Sequence, residues 1–295
     1  MSSELLIIAA GAALVSSLAR AGLNVVDRTM IGVKGVPVNE AVFLNNLLPA
    51  VIGILGCALC QALVELWVTF ASWRTFVFAL LVQAVGYSFA MVLRAHPVER
   101  AVFLAKSTDL PIYLVLLPAS MQLGVSSAPE AILSGVTTLV CCGYLLRTGK
   151  LDLVQLALPA TLVLQSMVSP FVSPTMVDSG ISSGLAFAIA TIGWRTIFSL
   201  ASVGTRMASL RFIIVDEGGL IFSRAFLALV VQISFVVAIA AQPTAIIWSL
   251  LNMSGAISLL LARFLSRRGH CRELDVALLG VVATTLCRLI LDVGR

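Results

Sequence analysis

Ten apolar segments, each close to the length that crosses a lipid bilayer, occupy almost the whole chain. A transmembrane helix needs about 20 predominantly apolar residues, and the connections between these segments are short and marked by Gly, Pro and Ser. The pattern predicts an all-α polytopic membrane protein with ten transmembrane helices. The predicted helices cover residues 5–26, 41–62, 74–94, 99–123, 129–147, 151–171, 181–204, 219–241, 244–264 and 275–292.

The composition leaves no room for a soluble catalytic domain. Hydrophobic residues make up 60% of the chain and charged residues only 11%, whereas a soluble domain carries about 25% charged residues. The first apolar segment lacks a basic start and is longer than a signal-peptide core, so we predict that it is a span. The net charge of +5 is then a sign of membrane orientation. We expect the lipid bilayer, and no nucleic acid, as a partner.

The chain contains an internal repeat whose motifs keep their order, with an offset of 134 to 149 residues. Each copy holds about five apolar segments, and an odd number of crossings makes the second copy enter the membrane from the opposite side. We therefore predict two inverted five-helix repeats, residues 1–149 and 150–295. Many transporters have this organisation, with the substrate site between the halves near the bilayer midplane. The matching motifs are residues 78–83 with 227–232, 27–31 with 173–177, and 116–120 with 250–254.

Basic residues concentrate on one side of the predicted membrane. The connections after the odd-numbered helices hold 12 of them, and the opposite side holds only Arg74 and Arg295. Because cytoplasmic loops attract Lys and Arg, we predict that these connections face the cytoplasm and that both termini lie on the non-cytoplasmic side of the cytoplasmic (inner) membrane. The 12 residues are Arg28, Lys34, Arg94, Arg100, Arg147, Lys150, Arg206, Arg211, Arg263, Arg267, Arg268 and Arg272.

Charged side chains inside the predicted spans are candidate binding residues. Each costs about 2.5–3.5 kcal/mol near a helix centre, so such residues usually face a cavity or a partner. Lys106 and Asp109 lie three residues apart on one face of the fourth helix. Lys106 would bind a substrate carboxylate or phosphate, with Asp109 as its resting partner or as a proton carrier; the alternative is a structural pair near the helix end. Arg195 is the cation deepest in its span.

Other embedded polar residues have two open interpretations. Arg20 lies four residues before Asn24 on one helix face, where the pair lines a cavity or is structural. Arg224 and Arg288 lie near helix ends, from which a long side chain reaches the interface. Embedded cations outnumber the one clear embedded anion, Asp109, which favours an anionic or zwitterionic substrate. Further candidates, which either line the cavity or join helices by hydrogen bonds, are Asn45, Asn46, Tyr113 and Asn252.

Signals for an enzyme, a metal or a cofactor are weak. Cys57 and Cys60 form a C-x-x-C pair, but it falls inside an apolar helix with no second pair and no nearby histidine. We interpret these cysteines as small packing residues. We see no cluster of metal ligands in the sequence, and we predict no cofactor, no metal and no enzymatic activity.

The first, fourth and fifth helices carry a recognisable pattern: residues 23–28, then residues 105–120, then a short turn and a helix with Gly135 and Gly143. The second copy follows the same plan over residues 242–280. The pattern resembles the drug/metabolite transporter superfamily, in its EamA-like branch. The resemblance implies ten helices in two inverted halves, a central cavity and movement of small metabolites. Members of the family usually keep both termini in the cytoplasm, whereas the charges here predict the reverse.

These features together predict a secondary transporter that works by alternating access. Its substrate would be an amino acid, a sugar phosphate or a nucleotide sugar, driven by a proton on Asp109 or by exchange (antiport). One alternative is a flippase for a polyprenyl phosphate or a lipid-linked sugar, with Arg20 or Arg224 near the headgroup level. A membrane enzyme acting on lipid phosphates and a structural subunit of a larger complex are two further alternatives. A monomer and a homodimer are both open.

Overall fold

A computed structural model describes residues 3–122, 128–172, 176–204, 207–241, 245–265 and 272–293. Within these ranges all regular secondary structure is helical, as predicted. Eight helical stretches of the described chain are long and apolar enough to cross a membrane. The chain is thus a polytopic helical membrane protein. Residues named above that lie outside the described ranges are Arg206, Arg267, Arg268, Arg295 and residues 173–175 and 242–244.

Each of the ten predicted segments overlaps helix in the structure. The first continues from α1 into a π-helix over Arg28–Val33. The helices are α1 (Ser3–Asp27), α2 (Val38–Leu59), α3 (Leu63–Phe70), α4 (Trp73–Ala95), α5 (Val98–Lys106), α6 (Asp109–Gln122), α7 (Ala128–Arg147), α8 (Leu153–Val172), α9 (Met176–Val203), α10 (Met207–Ala241), α11 (Ala245–Asn252), α12 (Ser254–Leu265) and α13 (Arg272–Val293).

The fourth predicted segment is broken into α5 and α6. The hydroxyl groups of Ser107 and Thr108 donate to backbone carbonyls three residues back, and such local bonds compete with the helical ladder. Pro111, in the first turn of α6, lacks the N–H that would bond to the carbonyl of Ser107. Apolar character continues through the break, so hydropathy alone predicts one continuous helix.

The ninth predicted segment is broken in the same way, into α11 and α12. The backbone N–H of Met253 donates to the carbonyl of Leu250, three residues back, at 3.2 Å. The two broken helices meet close to their breaks: a Cβ on Gly255 would lie 2.7 Å from Cε of Lys106. Glycine is therefore required here for the side chain of Lys106 to lie against the first turn of α12.

Two further helical features were not predicted. The predicted connection after α2 contains the short helix α3, whose Val64 and Trp67 are exposed. Helix α10 is kinked at Glu217, which has non-helical dihedral angles (φ −121°, ψ 19°). Glu217 pairs with Lys34 of the connection after α1, at 3.1 Å. The kink divides α10 into a short first part and a long second part.

Helices of the two predicted halves pack against each other through small residues. Helix α1 contacts α10, α11 and α12, whereas α8 contacts α4, α5 and α6. At the α1–α10 contact the Ser16 hydroxyl donates to the carbonyl of Val231 at 3.2 Å, and a Cβ on Gly22 would lie 3.3 Å from Leu227. Small side chains allow such close approach of helices in a membrane.

Arg100 fixes the connection between α7 and α8, where the predicted halves join. It lies on α5 and is 9% exposed. Its Nε and one terminal nitrogen donate to Oε1 of Gln155 at 3.3 and 3.0 Å. The guanidinium also donates to the hydroxyl of Thr148 at 3.2 Å and to the carbonyl of Lys150 at 3.4 Å. The planar fork of arginine reaches these acceptors in several directions at once.

Replacement of Arg100 by lysine keeps the charge but removes the fork. Because hydrogen bonds from charged groups each contribute about 1.5–3 kcal/mol, we expect Arg100→Lys to lower the free energy of unfolding by about 2 kcal/mol. Thermal unfolding of the detergent-solubilised protein measures this loss. Arg94→Lys, at an exposed position on α4, is the matched control and should unfold as the wild type does. Equal stability of the two variants would contradict this role of Arg100.

The short helix α3 is held against α9 by polar and aromatic contacts. The hydroxyl groups of Ser182 and Ser183 donate to the carboxylate of Glu65. Trp194 stacks on Phe70 with ring centroids 4.6 Å apart. The two serine hydroxyls, Ser183 first, hold the pKa of Glu65 below its usual range.

The contact between α3 and α9 should depend on pH. A carboxyl group with a lowered folded-state pKa stabilises the contact above its unfolded-state pKa, about 4.3, and this contribution is lost as the pH falls through the folded-state value. We expect the near-ultraviolet circular dichroism of the stacked aromatic side chains to weaken below about pH 4. Glu65→Gln should remove this transition; an unchanged transition in the variant would assign it to another group.

Candidate functional site

A cavity of about 450 Å³ lies between α1, α2, α4, α8, α9 and α10. These helices come from both predicted halves of the chain. The volume falls within the range of small-molecule sites, about 300–1,000 Å³. The walls are largely apolar, and phenylalanine rings supply much of the surface: Phe78, Phe89, Phe187 and Phe235.

One face of α1 and of the π-helix that follows it supplies a continuous wall. Its lining residues are Arg20, Leu23, Asn24, Asp27 and Ile31. Arg20, Asn24, Asp27 and Ile31 follow at intervals of four, three and four residues, the spacing that places side chains on one side of a helix, and Leu23 lies next to Asn24. Three polar side chains therefore point into the same space from successive turns. Asp27 is the last residue before the π-helix, a distortion that is frequent at functional sites.

Asp27, Arg224 and Asn45 form one hydrogen-bonded network at the cavity wall. Nε of Arg224 donates to Oδ1 of Asp27 at 3.1 Å, and the Asn45 amide donates to the same oxygen at 3.1 Å. A terminal nitrogen of Arg224 also donates to the backbone carbonyl of Asn45 at 3.0 Å. The side chains of Arg224 and Asp27 are 14% and 15% exposed. The network joins α1, α2 and α10.

Arg195 belongs to a second network, which joins α2, α4 and α9. Its Nε donates to Oε1 of Gln83 at 3.3 Å, and the Asn46 amide donates to the same oxygen at 3.2 Å. Arg195 also interacts electrostatically with Arg224 and Asp27, so the two networks lie close together. No carboxylate of the described residues forms an ion pair with Arg195.

Arg20 is a third cation of the cavity lining. Its side chain is exposed and lines the cavity. It makes no ion pair or hydrogen bond with any part of the chain that the structure describes. A guanidinium offers five N–H donors, so Arg20 is free to bind an anionic group.

Two buried polar atoms at the cavity wall also have no protein partner within the described residues: Oδ1 of Asn45 and the hydroxyl of Thr191. These side chains are 4% and 5% exposed. Buried polar atoms in proteins are nearly always hydrogen-bonded to protein, water or a ligand. Both atoms are fully buried, so they would contact a ligand in the cavity only if their side chains turned toward it.

The charges of the cavity wall are unbalanced. Arg20, Arg195 and Arg224 face a single carboxylate, Asp27, among the described lining residues. In a space with low-dielectric walls, an excess of one charge attracts ligands of the opposite charge. The arrangement can bind an anionic group on its guanidinium groups and an apolar body against its phenylalanine rings.

Five of the residues that the sequence singled out line this cavity: Arg20, Asn24, Asn45, Asn46 and Arg195. Asn24 also donates to the hydroxyl of Ser258 at 2.8 Å, which fixes its amide against α12. Arg224, expected at the membrane interface, lines the cavity instead. Four other candidates do not line it: Lys106, Asp109, Tyr113 and Asn252.

Lys106 and Asp109 form the predicted ion pair, at 3.5 Å, across the break between α5 and α6. Arg288 of α13 lies 3.9 Å from the same carboxylate oxygen and donates to the hydroxyl of Ser134 at 2.8 Å. Asp109 thus lies between two cations in a cluster that joins α5, α6, α7 and α13. Their role in substrate binding stays a prediction.

Sequence reasoning missed three polar lining residues: Asp27, Gln165 and Thr191. A signal for Asp27 was present, since it lies seven residues after Arg20 and three after Asn24, on the same helix face. Gln165 and Thr191 gave no such signal. Each is one of several polar residues on its helix, and the sequence does not show which of them faces inward.

No protein-family model matches the sequence, and a search of curated proteins returns no match. A solved structure, described only as a crystal structure of a protein, aligns over 100% of both chains with a TM-score of 0.62 and 13% sequence identity. At this identity the likeness shows the fold alone. The arrangement of helices over the whole chain is thus similar to that of a solved structure.

The pair of Asp27 and Arg224 should act as one unit. Removal of either partner leaves a charge in a largely apolar wall, and for buried pairs this destabilises by about 3–5 kcal/mol. We expect Asp27→Ala and Arg224→Ala each to lower the free energy of unfolding by about 3 kcal/mol. The double variant should lose much less than the sum of these two losses. Unfolding in mixed micelles measures this coupling energy, and additive losses would contradict the pairing.

Proposed function

We propose that the protein is a secondary transporter that moves a small organic anion or zwitterion across the cytoplasmic membrane by alternating access. It has ten spans in two inverted halves, residues 1–149 and 150–295, with both termini on the non-cytoplasmic side. The observation that carries the proposal is the cavity between the halves, where three guanidinium groups face one carboxylate. The proposed drive is a proton or exchange for a second solute.

The helix contacts support the inverted repeat. The proposed counterpart of a helix is the helix at the same place in the other half: α1 pairs with α8, α2 with α9, α4 with α10, α5 and α6 with α11 and α12, and α7 with α13. Most helix–helix contacts have an equivalent contact between the counterparts. Helix α1 contacts α10, α11 and α12, and its counterpart α8 contacts α4, α5 and α6. Helix α2 contacts α9 and α10, and its counterpart α9 contacts α2 and α4. Helices α7 and α13, the last of each half, contact each other.

One contact between α7 and α13 joins residues at equivalent positions. The hydroxyl groups of Thr137 and Thr284 are hydrogen-bonded at 3.0 Å. These residues lie 147 positions apart, which falls within the offset of the sequence repeat. Contacts between equivalent residues are expected on the axis that relates two repeats, so this pair supports an axis between α7 and α13.

Helix interruptions also occur at corresponding positions of the two halves. The break at Ser107 and Thr108 corresponds to the break at Met253, 145 to 146 residues later. This register differs from the sequence pairing of residues 116–120 with 250–254, which would place Met253 opposite Ala119. The short helix α3 before α4 corresponds to the first part of α10 before its kink at Glu217. Interrupted helices in matching positions are typical of transporters built from inverted repeats. The resemblance to the drug/metabolite transporter superfamily implies the same plan.

In the proposed mechanism the substrate's anionic group binds to the guanidinium groups of the cavity wall, those of Arg20, Arg195 and Arg224. The phenylalanine rings contact its apolar part. Helices of both halves supply these residues, so movement of one half against the other changes the side from which the cavity is reached. The substrate then leaves on the opposite side.

A ligand screen by thermal stability tests the proposal. Its members are amino acids, sugar phosphates, nucleotide sugars and polyprenyl phosphates. A ligand present at 100 times its dissociation constant stabilises the folded state by about 2.7 kcal/mol. We expect stabilisation by at least one soluble anion in the wild type, and loss of that stabilisation in Arg195→Gln and in Arg20→Gln.

Arg74→Gln is the matched control for the screen. Arg74 lies over the ring of Trp73, 5.9 Å from its centroid, and does not line the cavity, so this variant should respond as the wild type does. Stabilisation by polyprenyl phosphates alone would favour a flippase. Loss of the response in Lys106→Met, with retention in Arg195→Gln, would place the site at the break between α5 and α6.

A further inference from the structure

We propose that Asp27 is the proton-binding residue of the cavity: an anionic group that binds to Arg224 displaces Asp27, which takes up one proton, so that anion and proton bind together. This inference rests on the proposed function and names its coupling ion. The proton comes from the aqueous phase to which the cavity is open and forms an O–H bond on the carboxylate. No other covalent bond forms or breaks.

Asp27 is the only acidic side chain among the described residues that line the cavity. Both of its protein partners donate to one oxygen, Oδ1. The second oxygen, Oδ2, has no hydrogen-bond partner within the described chain, and it is not among the fully buried polar atoms without partners. Asp27 thus has one oxygen fixed by Arg224 and Asn45 and a second oxygen that is accessible to water or ligand in the cavity.

The surroundings of Asp27 are strongly cationic. Helix α4 presents only apolar side chains and Gly86 to the cavity. The charged groups that line the cavity beside Asp27 are Arg20 on α1, Arg195 on α9 and Arg224 on α10. Arg28, the next residue after Asp27, does not line the cavity and donates to the carbonyl of Leu93. The uncharged polar groups are Asn24 on α1, Asn45 and Asn46 on α2, Gln165 on α8, Thr191 on α9 and Gln232 on α10. Glu40 on α2 and Arg94 on α4 lie on packed helices but do not line the cavity.

This arrangement stabilises the carboxylate of Asp27 while the cavity is empty. An arriving anionic group is attracted by the same guanidinium groups, and Arg195 and Arg224 lie within electrostatic reach of Asp27. The two negative groups then share one site. Asp27 has then lost its cation in a largely apolar wall and lies beside a second negative group, and both changes favour its protonated form. Protonated Asp27 still accepts a hydrogen bond from Asn45 on Oδ1.

Joint binding also keeps the charge of the cavity constant. A monoanion adds one negative charge and the proton removes one from Asp27. The cavity then changes conformation with the same net charge in its empty and loaded forms. Asp109, the carboxylate that the sequence suggested as the proton carrier, lies outside the cavity between Lys106 and Arg288.

The pH dependence of anion binding tests this inference. Benzenesulfonate and methanesulfonate are suitable probes, because a sulfonate keeps its negative charge and any pH dependence then reports on the protein. If one proton binds with each anion, the dissociation constant of the wild type should rise with pH, by up to about tenfold per pH unit. Titration calorimetry of the full-length protein in detergent measures it.

Asp27→Asn resembles the protonated residue, so its dissociation constant should be nearly independent of pH and no weaker than that of the wild type at low pH. Asp109→Asn is the matched control and should keep the pH dependence of the wild type. His96→Gln is a second control for a titratable histidine; burial, and after it the charge of Arg100, hold the pKa of His96 below its usual value. A second measurement needs no variant: sulfonate added to weakly buffered wild-type protein should remove one proton per bound anion from solution.

Each outcome separates this inference from the proposed function. Three results would overturn the role of Asp27 and leave the anion site in place. They are sulfonate binding that does not depend on pH, absence of proton uptake, and the same pH dependence of the dissociation constant in wild type and Asp27→Asn. If Asp109→Asn lost the pH dependence of the dissociation constant and Asp27→Asn kept it, proton binding would be assigned to Asp109, at the break between α5 and α6. No binding of either sulfonate would contradict the anion site itself and with it the proposed function.

Discussion

Guanidinium groups inside the membrane are the constraint on which this structure depends. A cation at the centre of a span is stable only beside a partner or beside water. Arg224 has a carboxylate partner at 3.1 Å, Arg195 has the amide oxygen of Gln83, and Arg20 faces the cavity. The six helices around the cavity therefore have to leave a polar space between them, and this space has the size and charge of an anion site.

Two ion pairs lie in different parts of the helix bundle, one in the cavity wall and one between packed helices. The pair of Asp27 and Arg224 lies in the cavity wall, where a ligand can compete for the guanidinium. The pair of Lys106 and Asp109 lies between packed helices, where Arg288 gives the carboxylate a second cation. Under the proposed function, the first arrangement would let Arg224 exchange its partner during transport. The second fixes the α5–α6 break against α13.

Much of the fold was predictable, because a membrane helix is formed by one continuous stretch of sequence whose length and apolar character can be read directly. The interruptions were not: the hydroxyl bonds of Thr108 and the tight turn at Met253 lie within apolar stretches that hydropathy treats as continuous. Site residues on one helix were predictable from spacing, as Arg20 and Asn24 show. The position of Arg224 in the cavity wall was not predictable, because its distance from the helix end does not show that Asp27 of another helix lies beside it.

Access to the cavity from both sides of the membrane tests the central claim most directly. Ala228 lines the cavity one turn after Arg224. In a protein freed of its six native cysteines, Ala228→Cys should react with a membrane-impermeant thiol reagent added to either side of sealed vesicles, and a bound anion should slow both reactions. Leu80→Cys, at an exposed apolar position, is the control and should react from neither side. Reaction of Ala228→Cys from one side only, under every condition, would contradict alternating access at this cavity.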